Sequence, residues 1–185
     1  GYSERDVREI LRMALSGLSA IHDHAIVHRD LKPENVLLLD RRGGLLDLRI
    51  ADFGEARRLE PDGAITARAG TRGYMAPEVL AGLPYGLAAD VWSLGVILFT
   101  LLCGRHPFAC DDEADEEAAV RGGHLSFADP NWAEVSEAAK AVVRCFLSQA
   151  PQARPKAHEA LVLPWVTSNP ESDPTGVISA ESTPT

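Results

Sequence analysis

The chain has 185 residues and a formal net charge of −9, with 45% hydrophobic and 24% charged residues, proportions typical of one globular domain. Such a chain can bury a core without disulfides or a structural metal. Residues 111–185 carry 13 of the 27 acidic side chains but 5 of the 18 basic ones, and no Lys/Arg run exceeds a pair, which excludes the basic patch a nucleic-acid partner would need.

The first predicted elements are a helix and a small hairpin. Ser3 and Asp6 form a capping-box-like start, and apolar residues then recur at helical spacing. The apolar run Val36–Leu39 predicts a short strand. Turn residues at 41–44, followed by an imperfect alternation over 45–50, predict a second strand that pairs with the first.

The second half of the chain is predicted to be helical after a long loop. Residues 52–78 hold four Gly and two Pro without periodicity, which predicts an ordered loop of the length that is usually functional. The stretch Val91–Cys103 is apolar on all sides and predicts a helix buried at the centre of the domain. Amphipathic helices are predicted over 135–146 and 156–163, and the acidic stretch 111–117 is predicted to interrupt the helical pattern.

The sequence favours an intracellular location. No secretory signal is visible, and the apolar stretch Val91–Cys103 is shorter than the roughly 20 residues that a bilayer requires, so no membrane partner is expected. The three cysteines, Cys103, Cys110 and Cys145, have neither C-x-x-C spacing nor a His at ligand distance, which argues against zinc or a disulfide framework. A reducing, cytoplasmic compartment is the expectation.

Three short motifs carry the chemistry. They are HRDLKPEN at 28–35, DFG at 52–54 and APE at 76–78. In this order and at these separations they resemble the protein kinase superfamily of the serine/threonine type. The resemblance covers residues 2–166 and implies a mainly α, α+β kinase-like fold, namely a helical C-terminal lobe with a small β-hairpin beside the catalytic loop.

Later segments refine this resemblance. Residues 104–108, residues 125–127 with Trp132, and residues 154–165 resemble the calcium/calmodulin-dependent protein kinase group. The calcium machinery itself is not visible, because the acidic stretch lacks the Gly of a calcium loop and no basic amphipathic helix follows Trp165. No calmodulin-binding segment is therefore expected in this chain.

The resemblance assigns the catalytic roles. Phosphoryl transfer needs positioning, neutralisation of charge and an acceptor for the hydroxyl proton. Asp30 is expected to orient the hydroxyl and take its proton, Lys32 to neutralise the transferring phosphate, and Asn35 to complete the catalytic set. Asn35 and Asp52 offer hard oxygens and are the expected Mg²⁺ ligands. The expected contacts to the cofactors ATP and Mg²⁺ are Lys32, Glu34, Asn35, Leu37 and Asp52, with Leu37 beneath the adenine ring.

The expected substrates are proteins bearing Ser or Thr. Gly70-Thr71 ahead of the third motif, together with Lys32, disfavours tyrosine specificity. Glu34 remains open between a structural hydrogen bond and a contact to a basic side chain of the substrate. The residues expected to bind substrate are Asp30, Lys32, Glu34, Gly70, Thr71 and Arg72.

Phosphorylation of the activation segment, 52–78, is a hypothesis at this point. In many members of the resembled family, the basic residue corresponding to Arg29 pairs with a phosphate on this segment. Thr66 is the obvious acceptor, but it lies five residues before Thr71, where the common pattern has four and Ala67 stands.

Other motif residues are expected to be structural. His28 and Phe53 are expected to pack in the core, and Gly54 to support the second motif. Glu78 and Arg154 are expected to form a buried ion pair, and Asp90 to hold the backbone of the catalytic loop. Arg29 is expected to belong to this structural set as well. Glu55 departs from the family pattern, which places an apolar residue after the second motif more often.

The resemblance begins just before the catalytic loop. The expected domain, 1–166, is therefore a C-terminal lobe, followed by a disordered Ser/Thr/Pro-rich tail at 167–185. The β-rich N-terminal lobe, with its glycine-rich loop, is expected to be absent, so that the chain alone would bind ATP weakly and be weakly active or inactive. The alternative is a truncated, catalytically inactive kinase-like binding or regulatory module, which the intact catalytic set disfavours. A small-molecule phosphotransferase is disfavoured because Lys32-Pro33-Glu34 and the third motif are present.

Overall fold

The computed structural model describes residues 2–39, 47–60, 63–110 and 112–168. Within them, helices dominate, and the strands are few and short. The α-helices are α1 (Glu4–His22), α2 (Pro77–Leu80), α3 (Ala88–Cys103), α4 (Glu113–Gly122), α5 (Glu137–Phe146), α6 (Ala157–Ala160) and α7 (Pro164–Thr167). The strands are β1 (Ile26–Val27), β2 (Val36–Leu39), β3 (Asp47–Ile50) and β4 (Arg57–Arg58), and 3-10 turns lie at Pro33–Asn35, Arg72–Tyr74, Pro130–Trp132 and Pro151–Ala153. The expected mainly helical lobe with a small hairpin is confirmed.

Helix α1 begins where the sequence predicts it. The Ser3 hydroxyl accepts from the Asp6 backbone amide at 3.2 Å, and the Asp6 carboxylate accepts from Ser3, so the predicted capping box forms. The buried face contains Val7, Leu11 and Leu15, which are at most 2% exposed. This face packs on β3, α3 and α6, and thereby fixes the helix that precedes the first motif.

Helix α3 is the central element of the core, as its sequence predicts. Every residue from Ala89 to Phe99 is buried, which explains why the helix carries no polar face. Trp92 stacks on Phe108 with ring centroids 5.6 Å apart. The helix ends at Gly104, whose φ of +75° is the left-handed C-cap conformation that glycine adopts most readily.

Two small antiparallel sheets flank the loops that carry the motifs. Strands β2 and β3 pair with Val36 opposite Ile50, which confirms the predicted hairpin. Strands β1 and β4 pair with Ile26 opposite Arg58, and so tie the start of the 52–78 loop to the chain just before the first motif. The β2–β3 pairing places the second motif directly beside the end of the first, since it follows β3.

The structure corrects the predicted helix bounds in the second half. The acidic stretch is not a break, because Asp112 caps α4 through the Ala114 amide at 2.6 Å and the following acids occupy its first turn. Acidic side chains there interact favourably with the positive end of the helix dipole. The helix predicted over 156–163 is limited to the four residues of α6, because Pro164 starts a separate turn of helix. Helix α5 begins at Glu137, two residues later than predicted, with Ser136 as its cap.

Two predicted features lie outside the described residues. They are the hairpin turn at 41–44 and the tail at 167–185, of which only residues 167 and 168 are described. In the part of the chain that is described, no helix is both long and apolar enough to cross a membrane. The cysteines Cys103, Cys110 and Cys145 are free thiols.

Candidate active site

Asp90 fixes the backbone of the first motif from the first turn of α3. Its carboxylate is fully buried and accepts from the backbone amides of His28 at 2.8 Å and Arg29 at 2.9 Å. The Nε2 atom of His22, at the end of α1, lies 2.9 Å from the same carboxylate. Three elements of the chain therefore meet at one buried side chain, and the loop residues are held against the core.

His28 connects the first motif to the second. Its ring is fully buried, with Nε2 3.0 Å from the Ala51 carbonyl and Nδ1 3.3 Å from the Asp30 amide. Because a carbonyl only accepts and an amide only donates, these contacts place a proton on Nε2. Arg29 and Asp52 both have positive φ, +70° and +60°, which is a backbone conformation that non-glycine residues adopt uncommonly, so the chain turns sharply at each motif.

Asp30, Lys32, Asn35 and Thr71 form the centre of the site. The Thr71 amide and hydroxyl both donate to Asp30 Oδ1, each at 2.7 Å. Lys32 Nζ lies 3.0 Å from Asp30 Oδ2 and 2.9 Å from the Thr71 hydroxyl. Asn35 Nδ2 donates to the Asp30 carbonyl at 2.8 Å and to Oδ2 at 3.3 Å. A hydroxyl of the chain thus sits between a carboxylate and an ammonium group.

These contacts set the charge state of the centre. Burial raises the pKa of Asp30, but the hydrogen bonds from Thr71 and Lys32 outweigh it, and the pKa lies below its usual value of 3.8. The hydrogen bond to Asp30 raises the pKa of Lys32 above its usual value. Asp30 is therefore an anion and Lys32 a cation at neutral pH, which is the state that binds a hydroxyl and a phosphate oxygen, respectively.

Asn35 and Asp52 offer oxygen atoms beside this centre. The Ala51 backbone amide donates to the Asn35 backbone carbonyl at 2.9 Å. Asp52 is the next residue after Ala51, so this hydrogen bond holds its backbone close to Asn35. Asn35 uses its amide nitrogen on Asp30, which leaves its side-chain oxygen for another partner. One carboxylate and one amide oxygen fit Mg²⁺, which keeps several water or phosphate ligands, better than a metal that requires a full protein cage. Among the described residues, no group of three or more His, Cys, Asp and Glu could hold a metal.

The remaining residues of the predicted nucleotide face are exposed. Leu37 on β2 is 43% exposed, and Glu34 lies on the surface close enough to Tyr74 for its charge to help raise the pKa of that phenol, after the larger effect of burial. Phe53 is 48% exposed, contrary to the expectation that it packs in the core. Its ring meets His28 edge-on at 5.0 Å, which covers one side and leaves the rest to solvent. The Gly54 amide donates to Asp52 Oδ1 at 3.2 Å.

The residues around Thr71 form the wall where substrate binding is predicted. Gly70 has a φ of +103°, and a Cβ there would overlap the Arg29 carbonyl oxygen. Arg72 is paired with two acids of α4, Glu113 at 2.7 Å and Glu117 at 3.4 Å. The segment therefore contacts the catalytic loop through its backbone on one side and α4 through its arginine on the other.

The side chains of Arg29 and Thr66 do not contact each other, although the phosphorylation hypothesis would pair Arg29 with a phosphate on Thr66. The Arg29 side chain is 5% exposed and contacts Glu55, Ala67 and Tyr85, whereas Thr66 is exposed. The Arg29 guanidinium therefore interacts with other residues of the chain and not with Thr66.

Glu78 and Arg154 are joined below the site. Arg154 NH1 and NH2 donate to the two carboxylate oxygens of Glu78 at 2.6 and 2.8 Å, and both side chains are buried. The guanidinium also lies over the Trp92 ring, 5.0 Å from its centroid, and donates to the Ala88 carbonyl at 3.0 Å. The end of the 52–78 loop is thus anchored to the start of α3 and to the segment before α6.

Sequence reasoning missed three residues of this site. Tyr85 donates to the Ala67 carbonyl at 2.7 Å, and His22 lies against Asp90. His106 Nε2 donates to the Gly73 carbonyl at 2.9 Å, and burial lowers the pKa of this histidine below its usual value of 6.5. Each acts on a backbone carbonyl or a distant side chain, and such a contact leaves no periodic or spaced signal in the sequence. For His22, only its place at the end of the first helix could have drawn attention.

Known proteins resemble nearly the whole chain. The family described as protein kinase domain matches residues 1–166. A calcium/calmodulin-dependent protein kinase type 1 of Macrobrachium nipponense is 40% identical over 173 residues, which cover 92% of this chain and 49% of that protein. The calcium/calmodulin-dependent protein kinase cmkA of Emericella nidulans is 42% identical over 175 residues, covering 93% of this chain and 42% of that protein.

A plant relative gives the same result. Calcium-dependent protein kinase 7 of Oryza sativa subsp. japonica is 42% identical over 168 residues, covering 91% of this chain and 31% of that protein. The chain thus spans about half the length, or less, of the curated relatives that it matches.

Proposed function

The chain belongs to the protein kinase family, and on that premise we propose that it supplies the catalytic loop and activation segment of a serine/threonine protein kinase. The reaction would move the γ-phosphate of ATP to a Ser or Thr hydroxyl of a protein. The observation that carries the proposal is the Thr71 hydroxyl, which lies 2.7 Å from Asp30 and 2.9 Å from Lys32. A substrate hydroxyl needs the same two neighbours, one for its proton and one for the incoming phosphate.

The contacts of Asp30 indicate how the substrate would enter. An ionised carboxylate has about four lone-pair sites, and the chain uses all four through Thr71, Lys32 and Asn35. A substrate hydroxyl would displace one of these donors. Lys32 is the donor that can move, since its ammonium sits on a flexible four-carbon stem and can follow the phosphate. Asp30 then receives the hydroxyl proton as the new oxygen–phosphorus bond forms, while the bond between the γ-phosphorus and the bridging oxygen breaks and ADP leaves.

Asn35 and Asp52 would hold the magnesium ion of the nucleotide. Bound there, the ion would neutralise charge on the phosphate oxygens. The chain's own contribution is to hold the two ligand residues close together, because the β2–β3 pairing and the hydrogen bond from the Ala51 amide to the Asn35 carbonyl bring Asp52 next to Asn35 along the backbone. Leu37, exposed on β2, would support the adenine ring, and Lys32 would bind the transferred phosphate.

The proposed substrate surface comprises Glu34, Gly70, Thr71 and Arg72 around Asp30. Glu34 is an exposed acid at the rim of this surface, which supports a contact to a basic side chain of a protein substrate. We take residues 1–166 as the domain and 167–185 as a tail, in agreement with the extent of the family match. The free thiols Cys103, Cys110 and Cys145 support a reducing, cytoplasmic setting for the reaction.

The test compares the protein as its source cell makes it with an Asp30→Asn variant. We expect phosphate transfer from ATP to Ser/Thr peptides to fall by about 10²-fold or more in the variant, because Asn cannot accept the hydroxyl proton. The matched control is Asp47→Asn, which alters an exposed acid on β3 paired with Arg49 and should keep full activity. A wild-type protein that transfers no phosphate, or an Asp30→Asn variant as active as wild type, would refute the proposal and favour a binding or regulatory module.

A further inference from the structure

We propose that Tyr85 is a positioning residue that, with the carbonyls of Glu55 and Ala67, occupies Arg29 and holds the activation segment in place without a phosphate on Thr66. The Arg29 side chain is 5% exposed. A buried guanidinium that lacks partners is strongly destabilising, so its partners decide how the surrounding segment is arranged.

The polar contacts of Arg29 all come from the chain itself. Its Nε donates to the Glu55 carbonyl, and NH1 lies 3.5 Å from the Ala67 carbonyl and 3.4 Å from the Tyr85 hydroxyl. NH2 lies 3.5 Å from the Glu55 carboxylate. Each nitrogen of the guanidinium thus has a protein oxygen before any phosphate arrives. The carboxylate of Glu55 supplies the negative charge that a phosphate would otherwise bring, although it is exposed and contributes little by itself.

Tyr85 joins this group to the far side of the segment. It is 5% exposed, and its hydroxyl donates to the Ala67 carbonyl at 2.7 Å while accepting from Arg29. Its backbone pairs with Ile65 in both directions, at 3.0 and 2.9 Å. One residue therefore binds the segment on both sides of Thr66, through main chain before it and through side chain after it.

Thr66 itself has no part in these contacts in the described structure. It is exposed, and it lies between Ile65, which is paired with Tyr85, and Ala67, whose carbonyl is bound. Ala67 stands where phosphorylation would have been expected from the spacing, and its main-chain oxygen makes the contact to Arg29 that a side-chain phosphate would make. The ordering of the segment is thus built from residues that need no modification.

The two ends of the segment are tied down as well. The Leu59 amide donates to the Ala25 carbonyl at 2.7 Å beside the β1–β4 pair, and Arg72 is paired with Glu113 and Glu117 on α4. These contacts lie on either side of the Tyr85 contact. The contacts of Tyr85 with Ile65, Ala67 and Arg29 therefore hold the middle of a segment that is also held on either side.

The first test measures the order of the segment directly in this 185-residue chain. The chain is made free of phosphate, and amide hydrogen exchange is followed at Leu59 and Ile65. We expect both amides to be protected without phosphate. Tyr85→Phe should speed exchange at Ile65 by about 3- to 10-fold, which corresponds to the loss of one hydrogen bond. Tyr2→Phe, at an exposed tyrosine outside the segment, should leave the rate unchanged.

Substitutions at Thr66 complete this test. Thr66→Ala and Thr66→Glu should both exchange within about twofold of wild type at Leu59 and Ile65, since no partner of Arg29 is altered. The proposal is overturned if the phosphate-free amides exchange at the rate of an unstructured peptide. It is equally overturned if Thr66→Glu slows their exchange tenfold, or if Tyr85→Phe behaves as Tyr2→Phe does.

The consequence for catalysis rests on the proposed kinase function and is measured separately. In the protein as its source cell makes it, Tyr85→Phe should raise the KM for a Ser/Thr peptide severalfold and leave the KM for ATP unchanged, because the segment contacts the peptide side of the site. Thr66→Ala should change neither constant. If no variant transfers phosphate, the kinase proposal fails while the exchange data still decide how the segment is ordered. A large loss of activity in Thr66→Ala would overturn the present inference.

Discussion

At the scale of single residues, the site depends on backbone positions that few side chains tolerate. Gly70 has a φ of +103° and lies against the carbonyl of Arg29, so the main chains of the activation segment and the catalytic loop touch. This contact places the next residue, Thr71, within hydrogen-bonding distance of Asp30. Glycine is required at this position for its lack of a side chain as well as for its conformation.

Gly70→Ala is predicted to disrupt this contact. We expect a loss of stability of about 3 kcal/mol or more, because the new methyl group adds an overlap with the Arg29 carbonyl to the cost of a positive φ. The control is Gly82→Ala, where φ is +67° and nothing lies within 4 Å of an added Cβ, so only about 1 kcal/mol is expected. Urea unfolding of the two variants measures the difference, and equal losses would show that the contact with Arg29 is unimportant.

The candidate catalytic residues could be singled out because the first motif contains Asp30 and Lys32, and Thr71 precedes the third motif. Asp30, Lys32 and Thr71 come together although Thr71 lies some forty positions downstream. Tyr85 could not be predicted, since its role depends on a backbone carbonyl, and any residue can supply a carbonyl. The prediction for Phe53 was wrong for a related reason, because a residue's type indicates that it tends to be buried but not whether a neighbour covers it.

At the scale of elements, one buried ion pair holds the end of the activation segment. Glu78 belongs to α2, and Arg154 follows the 3-10 turn Pro151–Ala153. The guanidinium also donates to the Ser148 carbonyl at 2.8 Å, so most of its donors are satisfied. A buried charge pair of this kind contributes less through mutual attraction than through the cost of leaving either partner alone.

Removing either partner of this pair should destabilise the fold strongly. Glu78→Ala and Arg154→Ala are each expected to cost about 3–5 kcal/mol, because a single buried charge remains. The comparison is Arg49→Ala, which breaks an exposed, solvent-screened pair with Asp47 and should leave the melting temperature nearly unchanged. Thermal unfolding decides the matter, and unchanged melting temperatures in both buried variants would contradict the role assigned to the pair.

The helices with a strong apolar periodicity could be predicted from the sequence. A helix whose formation depends on its N-terminal cap could not. Helix α1 has both a capping box and a periodic apolar face, and its start was predicted correctly. Helix α4 buries only Val120 among its ten residues, so its sequence lacks an apolar face and gives no periodic signal. Its existence depends on Asp112 as a cap and on acids in the first turn, features that the composition alone presents as a polar loop.

At the scale of the whole molecule, Glu4 joins the first helix to the last. Its carboxylate accepts from the Ser136 amide at 2.9 Å, from the Ser136 hydroxyl at 2.8 Å and from Trp165 Nε1 at 2.6 Å. Burial raises the pKa of Glu4, but these hydrogen bonds outweigh it and leave the pKa below its usual value of 4.5. The ionised form is therefore stabilised by folding.

The stability of the molecule should depend on pH through this residue. A lowered folded-state pKa means that the contribution of Glu4 is complete above the unfolded value of 4.5 and is lost as the pH falls through the folded value. Glu4→Gln should thus cost about 1–2 kcal/mol at pH 7 and less in acid. Urea unfolding at pH 7 and at an acidic pH below 4.5 tests this, with Glu9→Gln on the same helix as the control. A cost that does not shrink in acid would contradict the assignment.

The bond between Glu4 and Trp165 also brings the two ends of the described fold to one spot on the surface, since α1 and α7 lie side by side. The two partners lie 161 positions apart, so this hydrogen bond closes most of the described chain into one loop. The entropy of closing so long a loop must be offset by the packing of the elements between them, and we therefore expect this contact to form late in folding.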